Sequence, residues 1–113
     1  MSRLRGMNCV FLAGNVGKVV IDKTNNGRPA GSFWLAIEDK TKLVTWVRAN
    51  VYDGLADLCE KKLFEGSYAM VRGGLMNRTS KQTNDRILEI RVNELVIIDS
   101  EGEDEYGQEE DVE

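Results

Sequence analysis

The pattern of the sequence predicts a mainly β domain, a small five-stranded Greek-key barrel with one short helix, followed by a disordered acidic tail. Three observations carry this. Residues 8–52 read as strand segments broken by Gly- and Asn-containing turns, and the stretch after Tyr52 changes to helical spacing. The composition then breaks after Ile98, where nine Asp and Glu fall within the last fifteen residues without a single Lys or Arg.

The first strand signal spans residues 8–14, stops at the turn-prone Gly14-Asn15-Val16-Gly17 and resumes over 18–23. Asn25-Asn26-Gly27 is a hairpin signal, because Asn and Gly tolerate the positive φ of tight hairpin turns. Residues 32–38 and 43–52 follow as a second hairpin. Leu55, Leu58, Cys59 and Leu63 then sit at helical spacing, with Asp53 placed to cap the helix and Gly66 to stop it. A strand over 67–76, a polar loop over 77–85 and a last strand over 86–98 complete the domain. Strands followed by a helix and two further strands give the order expected of an OB-fold, an all-β, partly open barrel, although periodicity by itself hardly separates a barrel from a small sandwich. Gly73-Gly74, inside a strand, mark a bulge or a barrel bend.

A length of 113 residues suits one domain. No apolar run reaches the roughly 20 residues of a membrane span, and the start lacks the apolar stretch of a signal peptide, so the expectation is a cytoplasmic protein without a membrane partner. The chain has no histidine and only two cysteines, Cys9 and Cys59, both within apolar segments and read as small core residues. The commonest general base and any ordinary zinc set are therefore missing. Catalytic residues, metal ligands and cofactors are not expected.

The net charge of −4 argues against a nucleic-acid partner only if the charge is evenly spread. It is not. Residues 1–98 hold all 15 Lys and Arg against ten acids, a balance of +5, and residues 99–113 carry −9. The tail has too little apolar content to offset the entropy of ordering it.

Side chains two apart on a strand share a face. Phe33, Leu35 and Ile37 therefore line one side of the central hairpin with Leu43, Thr45, Val47, Ala49 and Val51. The other side gathers Trp34, Trp46, Arg48 and Tyr52. Aromatics interleaved with an arginine, turned away from the core, suit the stacking of unpaired bases and the attraction of phosphate. Taken alone, each tryptophan would more often be a packing residue, under the helix or against another subunit; their joint placement with Arg48 and Tyr52 favours the nucleic-acid role. Lys40 and Lys42 at the hairpin end, with Arg78, Lys81 and Arg86 around the long polar loop, supply flanking positive charge.

The sequence also resembles the bacterial and phage single-stranded DNA-binding protein family. The matching features are Arg5-Gly-Met-Asn8 leading into Val10-Phe-Leu-Ala-Gly-Asn-Val-Gly17, then Asn26-Gly27, Leu35-Ala36, Trp46-Val-Arg48, Tyr52, Leu55-Ala56, Leu63, Gly66-Ser67 and Val71-Arg-Gly73. They span about residues 5–98. The resemblance implies an OB-fold that assembles as a homotetramer and binds single-stranded DNA without strong sequence preference, in replication, recombination or repair. By the same resemblance Trp46 and Tyr52 correspond to stacking positions, and Arg5, Arg48 and Arg78 to basic ones. The central hairpin loop is shorter than in the best-known members, and the family's third tryptophan falls near Ser80. Family tails end in acids and a short apolar tip, commonly Pro-Phe, and recruit replication or recombination proteins. Here the end is Glu109-Glu110-Asp111-Val112-Glu113, acidic but without that tip, which suggests a phage or mobile-element version. Other readings are an RNA-binding or dimeric replication-restart OB barrel, and a protein-interaction module whose aromatic face meets a partner protein.

Overall fold

The computed structural model describes residues 4–98 and 104–108. Its elements are β1 (Val10–Lys23), β2 (Pro29–Glu38), β3 (Val44–Tyr52), α1 (Asp53–Lys62), β4 (Tyr68–Thr79), β5 (Arg86–Ile98) and β6 (Asp104–Gln108). The strands pair in the order β3-β2-β1-β4-β5-β6, and an additional β3–β5 pairing closes five of them into a barrel. Neighbours are antiparallel except for that closure, where Ala49 and Asn50 run parallel to Ile90 and Arg91. This is the OB-fold the sequence predicts, with the helix between the third and fourth strands.

The core follows the alternation. Phe33, Leu35, Ala49 and Val51 are fully buried and meet Val71, Val92, Leu95 and Ile97 from β4 and β5. Leu55, Ala56, Cys59 and Leu63 of the helix segment join the same cluster. The apolar set on β3 is shorter than its pattern suggests: Thr45 is exposed and Leu43, before the strand, is 68% exposed. The outer end of the β2–β3 hairpin therefore projects beyond the core.

Four further details differ from the sequence expectation. β1 does not break at Gly14–Gly17; it runs through, with a register shift between Val16 and Val19. The glycines serve close approach instead of a turn, since a Cβ on Gly14 would lie 2.4 Å from the Ala36 carbonyl oxygen. Asp53 is the first residue of α1 and does not cap it; its carboxylate takes two hydrogen bonds from Arg28, at 2.9 and 2.5 Å. Cys9 is exposed, and only Cys59 is in the core, where burial pushes its thiol up to about 12. Within the stretch read as a disordered tail, residues 104–108 form β6 on β5. That strand is held by backbone pairing, which composition does not report, and Gly107 lets it close against the helix: a Cβ there would lie 2.6 and 2.8 Å from Leu58 and Leu55. The rest of the tail lies outside the described residues.

The bend expected at Gly73-Gly74 is present, with a register shift between Arg72 and Gly73. A Cβ on Gly73 would lie 1.9 Å from the Arg91 carbonyl oxygen, so β4 and β5 cross too closely there for any side chain.

Phe33, fully buried on the central strand of the hairpin sheet, is the test of this core. Phe33→Ala should lower unfolding free energy by about 3–5 kcal/mol, measured by urea denaturation, through lost transfer energy and a cavity.

Candidate nucleic-acid interface

The register of β2 on β3 pairs even-numbered residues with even: Ser32 with Asn50, Trp34 with Arg48, Ala36 with Trp46 and Ala30 with Tyr52. Because the odd partners fill the core, the even ones face outward together. Trp34 remains 40% exposed and Trp46 57%, large values for indoles in a small barrel. The alternation thus puts both rings on one outer surface.

Their floor comes from β1. A Cβ on Gly17 would lie 3.0 Å from Cζ3 of Trp46 and 3.2 Å from Cβ of Trp34. Glycine leaves the space in which the Trp46 ring lies beside Trp34. Sequence reasoning assigned this residue to a turn and missed its place in the platform.

Next to the indoles is a buried carboxylate. Closure of β3 on β5 brings Glu89 beside Arg48, and the β4–β5 ladder sets Met76 opposite Glu89, so that Arg78 reaches it one alternation away. Glu89 is 2% exposed. Its Oε1 accepts from Asn50 Nδ2 at 2.9 Å, and its Oε2 accepts from Arg78 Nε at 2.8 Å, with Arg48 Nη1 at 3.7 Å. Burial by itself raises the Glu89 pKa; the hydrogen bonds from Arg78 and Asn50 and the charges of Arg48 and Arg78 outweigh it, and the carboxyl is held below the usual glutamate range. The Arg48 and Arg78 side chains keep about a third and two fifths of their surface in solvent.

Tyr52 lies further along β3, with Arg91 of β5 stacked over its ring at 5.0 Å. Arg28, Asp53, Thr24 and Asn26 complete the rim of a shallow depression around this pair. Burial and pairing partners from β5 account for what the sequence missed here: Glu89 and Arg91 alternate like any outward strand residues, and only closure of the barrel shows what they touch.

The remaining expected residues are more scattered. Lys40 and Lys42 flank the turn of the β2–β3 hairpin, beyond Trp46, with Asp39 ordering the turn by accepting from Thr41 and Leu43. Lys81 and Arg86 are exposed at the β4–β5 connection, past Arg78. Arg5 is exposed on the segment before β1, which is anchored two-sidedly by Asn8: its Oδ1 accepts from the Leu75 amide at 2.7 Å and its Nδ2 donates to the Leu75 carbonyl at 2.8 Å. Glu109, Glu110, Asp111, Val112 and Glu113 lie outside the described residues.

With this geometry in view, the family model of the single-strand binding protein family matches residues 7–98, most of the chain. The chain belongs to that family. Among solved structures, the fold of this single-strand binding family member is similar to a Plasmodium falciparum protein described as an SSB complex with ssDNA. The TM-score is 0.73 at 28% identity, and the match covers 87% of this chain and 100% of the other. No curated protein sequence matches the chain.

The Glu89 cluster makes a pH prediction for this family member. A carboxyl whose pKa is lowered on folding stabilises the native state above the unfolded glutamate value, about 4.3, and that contribution disappears as pH falls through the lower folded value. Urea denaturation of the native chain and of Glu89→Gln should show a stability gap that is constant above about pH 5. The gap should narrow as the pH is lowered further, and a gap independent of pH would show that the carboxylate charge is not what Arg48 and Arg78 stabilise.

Proposed function

We propose that this protein binds single-stranded DNA with little sequence preference across the outer face of β2 and β3, and that it does so in replication, recombination or repair without catalysing a reaction. The observation that carries the proposal is the pair of half-exposed indoles, Trp34 and Trp46, seated on Gly17 directly beside Arg48. Flat aromatic surfaces stack on any base, and guanidinium groups attract any phosphate, so such a face is blind to base edges. Family membership and the relative described with ssDNA support the same reading. Lys40, Lys42, Arg78, Lys81 and Arg86 extend the positive surface on either side, and Tyr52 under Arg91 offers a further ring along the strand's path. Glu109 to Glu113 would then serve as the contact for replication or recombination proteins.

Assembly into a homotetramer belongs to the proposal. A separate outer surface supports it: Phe11 on β1 is 73% exposed, and Met70 and Tyr68 on the neighbouring β4 are also exposed. Clustered apolar side chains on a sheet face of a small soluble domain favour burial against another copy.

Binding and assembly are each open to measurement. In titrations of tryptophan fluorescence against oligo(dT), RNA and duplex DNA, single-stranded DNA should bind most tightly, and log affinity should fall with log salt at about 0.7 per phosphate neutralised. Trp46→Ala should then weaken binding by about 1–3 kcal/mol, with the fold intact by circular dichroism. Equal affinity for duplex would remove the stacking argument. For assembly, sedimentation of the native chain should give a tetramer at micromolar concentration, and Phe11→Glu should shift it toward smaller species; a monomeric native chain would refute the assembly.

A further inference from the structure

Ser32 and Glu89 are the two buried polar residues among those described, and Glu89 alone is charged. The chain thus keeps a desolvated anion beneath a face that the proposed function requires to be positive. A simple phosphate-binding surface has no use for it.

We infer that Glu89 is an internal competitor for phosphate, which holds Arg48 and Arg78 so that DNA reaching this part of the face exchanges an existing ion pair instead of meeting two uncommitted cations. The inference rests on the single-stranded DNA reading above. Its geometry is specific. Glu89 Oε2 takes the Nε of Arg78 at 2.8 Å and has Nη1 of Arg48 at 3.7 Å, while Asn50 fixes Oε1 at 2.9 Å. The carboxylate engages Arg78 at its Nε and leaves both arginine side chains partly in solvent, where phosphate can reach them. Two cations and one anion give this cluster a net charge of +1.

Arg48 itself argues against a purely architectural bridge. Its Nε is buried with no hydrogen-bond partner among the described residues, and its closest approach to Glu89 is longer than a hydrogen bond. A carboxylate serving only to pin the strands together is already satisfied by Arg78 and Asn50. Arg48 is held electrostatically, without the directional bonding that would commit its guanidinium to Glu89. Glu89 therefore acts as a positioning residue that lowers the effective positive charge of the site by one.

Salt dependence reads this charge directly. Oligo(dT) titrations over 50–200 mM salt, with folding checked by circular dichroism, compare the native chain with Glu89→Gln, Arg78→Gln and the double variant. Glu89→Gln keeps an oxygen acceptor for Arg78 but removes the anion. It should bind more tightly at low salt, with a log–log slope steeper by about 0.7, and this advantage should shrink roughly threefold across that range. An unchanged slope in folded Glu89→Gln overturns the inference. Should two unneutralised arginines prevent that variant from folding, the double variant, with one cation and no anion, keeps the native net charge of the cluster. Its slope should then exceed that of Arg78→Gln by about 0.7, and equal slopes overturn the inference. A native chain that does not bind oligo(dT) at all instead overturns the single-stranded DNA reading itself.

Discussion

Two residue pairs close the barrel: Ala49 with Ile90 and Asn50 with Arg91, the parallel contact between β3 and β5. Without it the sheet would stay open, with β3 and the Ile90–Arg91 part of β5 unpaired on one side, and edge strands present unpaired backbone groups. Closure encloses Phe33, Leu35, Val51, Val92 and Leu95 in a common core. It also determines what lies on the outside. Arg48 stands beside Glu89 because its neighbour Ala49 pairs with Ile90, and Arg91 covers Tyr52 because it lies across from Asn50.

The same closure explains why the barrel needs glycine where it does. A small barrel bends its strands sharply, and the bends bring backbone within contact distance of backbone. At Gly73 the carbonyl of Arg91 fills the space of a side chain, and at Gly14 the carbonyl of Ala36 does. At Gly17 the space is taken by the Trp46 ring. Barrel packing and the exposed aromatic face thus share one device on β1.

Several arginines of the domain stand in ion pairs. Arg28 is bound to Asp53, Arg72 to Glu94, and Arg78 with Arg48 to Glu89. The first of these is exposed and contributes little to stability, as surface pairs do. The last is anchored on a buried carboxylate, where both attraction and desolvation are larger, and it lies within the aromatic face. The balance of +5 over residues 1–98 already counts these carboxylates against their arginines.

Much of the fold was legible because period-2 alternation is a local property of a chain. It separated Phe33 and Leu35 from Trp34, and Ala49 and Val51 from Trp46 and Arg48, before any pairing was known. Helical spacing likewise identified Leu55, Cys59 and Leu63 as one buried face. What alternation cannot report is which distant strand lies alongside. That Gly17 is a floor and not a turn, that Asp53 binds Arg28 instead of capping its helix, and that Cys9 is exposed all follow from neighbours far away in sequence. The acidic β6 is the extreme case, because a strand held by main-chain pairing along β5 needs no apolar pattern of its own. By itself, then, the sequence determined the barrel class, the single helix and the outward placing of the two tryptophans with Arg48. The closure of β3 on β5 decided the burial of Glu89 and its hold on the two arginines, since a residue's desolvation and partners depend on what the whole chain folds against it.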